Sequence, residues 1–164
     1  MANIVYRPIG DQFSDDVIQL ILPIQQIEFG VAVTLEDQPD LKTIEAFYCQ
    51  SGGNFWGAFD GDTLVGTIAL VSIGHQAGAI RKMFVKKEFR GKEFGIAQQL
   101  LEKLLTYSEE QGIKDIYLGT VEQLKAAQRF YEKNHFTLIP KADLPAYFPL
   151  MSADNVFYHL RLKN

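Results

Sequence analysis

Apolar and polar positions along the chain mark out a regular series of elements. Ile4 to Ile9 reads as a first strand, stopped by Gly10. Ser14 or Asp15 can cap a helix that runs to about Phe29, with Pro23 expected to kink or split it. Gly30 to Asp40 has the character of a loop, and Leu41 to Cys49 predicts a second helix with Leu41, Ile44, Ala46, Phe47 and Tyr48 on its apolar face. Three strands then follow as an antiparallel meander: Phe55 to Phe59, Leu64 to Ile73 and Ala79 to Val85, the first two joined by the hairpin signal Asp60-Gly61-Asp62. A long helix is predicted from about Glu93 to Glu110, where Ala97, Leu100, Leu101, Leu104 and Leu105 recur at helical spacing before Gly112. Ile113 to Val121 is a strand, Leu124 to Lys133 a short helix, and Phe136 to Ile139 and Val156 to Leu162 are closing strands around a Pro-rich link.

This order predicts a mixed α/β sheet in one domain spanning residues 1–164, without repeats or linkers. Composition agrees: 47% hydrophobic and 22% charged residues belong to an ordinary globular chain. The net charge of -4 argues against a nucleic-acid partner, which favours a basic excess. Cys49 is the single cysteine, so an internal disulfide is excluded and a cytoplasmic location is the simplest expectation. The start of the chain lacks the build of a signal peptide, and the apolar stretch Val17 to Ile27 is interrupted by Gln19, Pro23, Gln25 and Gln26, so no membrane span is expected. His75, His135 and His159 lie too far apart to suggest a metal site.

The most informative stretch joins the third meander strand to the long helix. A helix start exposes unpaired N–H groups and the positive end of the dipole, which suits an anion. Gly91 and Gly95 remove side chains where a phosphate must approach the backbone, and Lys86, Lys87, Arg90 and Lys92 gather positive charge around that point. A solvated basic loop would have the same composition. The stretch is not a Walker loop, because no Gly-Lys-Ser/Thr follows.

Arg90-Gly91-Lys92-Glu93-Phe94-Gly95 resembles the acetyl-CoA signature of the GNAT superfamily of N-acetyltransferases, Arg/Gln-x-x-Gly-x-Gly/Ala, with Arg90 at its first position and Gly95 at its last. The resemblance implies a GNAT fold: a mostly antiparallel mixed sheet of about seven strands flanked by about four helices. It implies acetyl-CoA as cosubstrate without a metal. The coenzyme would be held by Met83, Phe84 and Val85 along its pantetheine arm and by Arg90, Gly91, Lys92, Glu93, Phe94, Gly95 and Ile96 at its pyrophosphate. Glu93 departs from the signature, which has glycine there. A carboxylate at about 6 Å from a pyrophosphate costs about 1–3 kcal/mol at an effective dielectric of about 20–40. In the first turn of the expected helix Glu93 would instead complement the dipole.

A second stretch, Ala127-Gln-Arg-Phe-Tyr-Glu-Lys-Asn-His-Phe136, resembles the family's other signature, with Ala127, Tyr131, Glu132, Lys133 and Phe136 in register. Leu124 and His135 replace the Asn and Gly common there. From spacing alone Tyr131 is a core aromatic; the resemblance gives it the role of the acid that protonates the departing thiolate, with Ala127 and Tyr131 beside the coenzyme. Proton transfer from a phenol near pKa ~10 to a thiolate near ~8.5 is uphill by roughly 2 kcal/mol, within reach of a catalysed step.

The expected reaction is acetyl transfer to a primary amine, on a small molecule, an amino acid or a peptide, by direct attack in a ternary complex. Backbone N–H groups of the third meander strand would stabilise the oxyanion. Glu28 and Glu122 are the base candidates, and Glu28 and Phe29 the candidate acceptor contacts. An acyl-CoA-binding module without turnover is the alternative, and the family also admits a homodimer.

Overall fold

The computed structural model describes residues 3–162. Strand β1 spans Ile4–Pro8, β2 Asn54–Asp60, β3 Thr63–Ser72, β4 Ala77–Val85, β5 Asp115–Thr120, β6 Thr137–Leu138 and β7 Val156–Arg161. They form one seven-stranded sheet in the order β1-β2-β3-β4-β5-β7-β6, in which β4 and β5 are parallel and every other pair is antiparallel. The mixed sheet expected from the sequence is therefore present.

Helix α1 (Ser14–Pro23) continues into a π-helical turn, Ile24–Glu28. Pro23 marks the changeover, since it has no N–H to donate within the helix, and the bond closing the wider turn runs from Phe29 N to Ile24 O. The helix expected over Leu41–Cys49 is instead a 3-10 turn, Pro39–Lys42, followed by a π turn, Glu45–Cys49. Helix α2 spans Ile96–Glu110 and α3 spans Lys125–Lys133.

Alternation along the strands gives the sheet two apolar faces. On one, Leu100, Leu101 and Leu104 of α2 pack with Val65, Ile68, Ile116, Leu118, Tyr131 and Tyr158. On the other, Val17 and Ile21 of α1 join Leu41, Ile44 and Tyr48 over Phe55, Phe59 and Ala69. Each fully buried side chain of this kind contributes about 1.5–3 kcal/mol, which holds helices against both sides of the split described next.

Strands β4 and β5 pair only from Ala77–Asp115 to Ala79–Tyr117. β4 runs on to Val85 and β5 to Thr120, so beyond Ala79 the two strands part. The β5-facing backbone edge of β4 has no strand partner there among the described residues. This split, open between two packed layers, positions the site.

Candidate active site

A cavity of about 400 Å³ fills the split. Ile80, Arg81, Lys82, Met83 and Phe84 line it from β4, and Gly119, Thr120 and Val121 from the end of β5. Leu124, Ala127 and Tyr131 close it on the α3 side, while Gln25, Phe29, Asp37 and Gln38 close it on the α1 side. Phe148, Met151 and Asp154, from the link between β6 and β7, complete the wall. Met83, Phe84, Ala127, Tyr131 and Phe29, all singled out from the sequence, thus converge on one space.

Tyr131 is buried, and its hydroxyl lies 3.5 Å from the Met83 sulfur, a soft acceptor. Burial, reinforced by the Asp154 charge, pushes its pKa above that of a free phenol. The hydroxyl therefore stays protonated at neutral pH and faces the open edge of β4.

The turn between β4 and α2 carries the second half of the site. Gly91 has a φ of 121° and Gly95 a φ of 62°, both in the region that favours glycine. Gly95 serves as the left-handed N-cap of α2, with no side chain capping the helix. That cap delays the helix to Ile96, three residues later than the periodicity implied, so Glu93 belongs to the turn and not to the first helical turn. Phe94 N and Gly95 N donate to Gly91 O at 3.3 and 3.2 Å. The N–H groups of Gly91, Lys92, Glu93, Ile96, Ala97 and Gln98 have no hydrogen-bond acceptor among the described residues. A row of free donors at a helix start is chemically matched to a diphosphate. The Glu93 carboxylate folds back beside Gly91: a Cβ placed on Gly91 would stand 2.9 Å from its Oε2.

Arg90 braces the turn. Its Nε donates to Val85 O at 2.8 Å and its Nη2 to Glu28 Oε1 at 2.8 Å, and Nη1 bonds the other Glu28 oxygen. The guanidinium also lies 5.7 Å from the Phe29 ring centre. Hydrogen bonding to Arg90 holds the Glu28 carboxyl below the usual carboxylate range. Glu28 is thus committed to an ion pair and does not line the cavity, whereas Phe29 does. Glu122 is exposed on the turn after β5, also outside the cavity.

Periodicity gave no sign of a polar cluster on the α1 side. Lys82 adopts a φ of 55° where the β3–β4 register slips between Thr67 and Ala69. This irregularity turns its side chain under the sheet, where Nζ lies 2.5 Å from Gln38 Oε1 and 3.6 Å from Asp40 Oδ2. The Tyr48 hydroxyl donates to the same Asp40 oxygen at 2.5 Å. Burial lowers the Lys82 pKa, and Asp40 partly restores it. Asp154 was also missed: it stands in a link without periodicity, and only the fold brings it to the cavity. The isolated Asn155 beside it, whose Oδ1 accepts from Glu122 N at 3.0 Å, carried no recognisable pattern either.

The split sheet, the turn of free amides and the buried tyrosine together define an acetyltransferase scaffold. The chain belongs to the acetyltransferase (GNAT) family, whose sequence model matches residues 18–136. It is 40% identical to an acetyltransferase of the GNAT family from Staphylococcus aureus Mu50, with a TM-score of 0.94 over 98% of this chain and 100% of that one. The fold is shared, at 20% identity and a TM-score of 0.74, with an N-acetyltransferase from Thermoplasma acidophilum solved in complex with coenzyme A; that match covers 98% of this chain and 99% of the other. Among curated sequences, N-acetyltransferase 8F1 of Rattus norvegicus is 28% identical over 97 residues, which are 56% of this chain and 43% of that protein. The chain therefore matches less than half the length of that relative.

Proposed function

We propose that the protein transfers an acetyl group from acetyl-CoA to a primary amine by direct attack within a ternary complex. The observation that carries this reading is the alignment of three features: the free amides after Arg90, the unpaired edge of β4, and the buried Tyr131 hydroxyl. Membership of the GNAT family supports it.

In this reading the amides of Gly91, Lys92, Glu93, Ile96 and Ala97 hold the diphosphate. Phe94 and Gly95 shape the turn through their bonds to Gly91 O, and Arg90 fixes it to Val85. Met83, Phe84 and Val85 offer backbone donors and acceptors to the pantetheine arm, in the way a strand adds to an open edge. Ala127, small and at the cavity wall, leaves room for that arm. Acetyl-CoA supplies an activated acyl group; the protein aligns it, excludes water and manages protons. A β4 N–H placed against the thioester carbonyl stabilises the charge that develops there. Tyr131 gives its proton to the departing sulfur. The acceptor enters from the α1 side, past Phe29 and Asp37.

Thiol release measured with acetyl-CoA and a panel of primary amines tests the proposal. Acceptor-dependent release, with the acetylated amine found by mass spectrometry, is the expected outcome. Binding of acetyl-CoA without turnover for any amine would leave a non-catalytic acyl-CoA-binding module instead.

A further inference from the structure

Direct attack requires a group to take the proton that the amine sheds. We infer that Asp154 is this general base, a role that rests on the acetyltransferase reading above. Three independent features of its placement lead there.

The first is position. Asp154 lines the same cavity as Tyr131, at the mouth of the split between β4 and β5. Its backbone is stapled in place, with Asp154 N donating to Met151 O at 3.1 Å and Asn155 N to Thr120 O at 2.9 Å. The carboxylate lies over Gly119, and a Cβ there would come 2.5 Å from Asp154 Oδ2, so any larger residue at 119 would displace the acid.

The second feature is availability. Among the described residues the Asp154 carboxylate has no hydrogen-bond donor and no cation within salt-bridge distance, unlike Glu28. A partly buried carboxylate without a partner is costly in a purely structural role, and here its open side is the cavity.

The third is its chemical setting. The charged and titratable groups acting on it are Arg81 and Lys82 from β4 and Tyr131 from α3. Burial pushes its pKa up to about 6, against the pull of the two cations. A base of that strength is ionised at neutral pH yet basic enough to accept a proton.

The step balances as follows. The alkylamine arrives as an ammonium ion: the Asp154 carboxylate takes one of its N–H protons and passes it to water, and the neutral nitrogen then bonds to the carbonyl carbon. The carbon–sulfur bond breaks, the electron pair leaves on sulfur, and Tyr131 donates its hydroxyl proton to that sulfur. The second proton, shed by the nitrogen once it is bonded to the acyl carbon, passes through water to the Tyr131 phenolate, so both side chains end as they began and one proton is released to solvent. Hydroxylamine needs only this second transfer.

The test uses Asp154→Asn and Asp154→Ser, with the wild type, on one accepted alkylamine and on hydroxylamine, which is already neutral at pH 7. Calorimetric titration with acetyl-CoA checks that each variant retains its fold and coenzyme site. The inference expects an acid limb near pH 6 in wild-type kcat that both variants lose. It also expects kcat to fall by about 100-fold or more for the alkylamine and by less than tenfold for hydroxylamine. Variants that keep the acid limb and kcat within threefold would overturn it. So would an equal loss on both acceptors, which marks a structural role. Wild-type protein that acetylates neither acceptor while binding acetyl-CoA counts against the acetyltransferase reading itself, and the base falls with it.

Discussion

Arg90 holds both oxygens of Glu28 across the gap between the β4–α2 turn and the end of the first helical segment. The pair ties the candidate coenzyme turn to the layer that borders the acceptor side. The Glu28 pKa is lowered by this hydrogen bonding. The sign follows: its stabilisation is present above the ordinary carboxylate pKa and is lost as pH falls through the lowered folded value. With side chains 34% and 26% exposed, solvent screening limits the pair to about 0.5 kcal/mol. Glu28→Gln should therefore lower stability by about that much at pH 7 and by progressively less as pH falls below the ordinary carboxylate range, as read by urea denaturation along a pH series.

Glu93 lies where a glycine would leave the turn open, and its carboxylate sits against Gly91, at the start of the free amides. Removing that charge should tighten acetyl-CoA binding. From about 1–3 kcal/mol of repulsion before salt screening, Glu93→Gln should lower Kd by about 5- to 150-fold at low ionic strength, with the gain shrinking in about 0.5 M salt. Calorimetry at two salt concentrations checks both parts.

Gly91, at a φ of 121°, occupies backbone space that an alanine enters only with strain. Gly91→Ala should cost about 1–3 kcal/mol, borne by the turn. A Kd for acetyl-CoA raised at least tenfold, with far-ultraviolet circular dichroism unchanged, is the expected pattern.

In the proposed reaction Tyr131 gives up a proton from a phenol whose pKa burial has raised, so the transfer to sulfur is steeper than for a free tyrosine. Tyr131→Phe should reduce kcat by about 100-fold while leaving the calorimetric Kd for acetyl-CoA within about twofold. Steady-state kinetics beside calorimetry separates the two effects.

Asp154 also makes a stability prediction of opposite sign to that of Glu28. Its folded pKa is raised to about 6 from 3.8, so its contribution is most favourable below the unfolded value and is lost as pH rises through 6. At pH 7 the ionised carboxylate costs stability. After allowance for its partial exposure, Asp154→Asn should stabilise the fold by about 1–2 kcal/mol at pH 7 and by little at pH 3.5. Thermal melts at the two pH values read this directly. A gain in stability joined to a loss of turnover is the signature of a strained functional group.

The sheet was legible because its strands alternate and its turns carry Asp-Gly and Gly signals, as at Asp60-Gly61-Asp62. The glycine turn before α2 and the place of Tyr131 at the cavity were legible through two local signatures. Element ends were less so: Gly95 in the left-handed region stops α2 from starting at Glu93, and the conformation of one glycine leaves no trace in a hydrophobic period. The helix expected at Leu41–Cys49 breaks into 3-10 and π turns, with Asp40 positioned to meet Lys82 and Tyr48. That cluster joins residues up to 42 positions apart in sequence, and no local pattern encodes such a contact. Asp154 was hidden for the same reason, since its meaning comes from Gly119 and Tyr131 lying beside it.

The account depends most on the donors that follow Arg90, and an amide-resolved NMR titration of 15N-labelled protein with acetyl-CoA addresses them directly. Saturable shifts centred on the N–H signals of Gly91, Lys92, Glu93, Ile96 and Ala97, at one coenzyme per chain, are the predicted result. Saturation that leaves those signals in place would contradict the assignment of this turn as the diphosphate site.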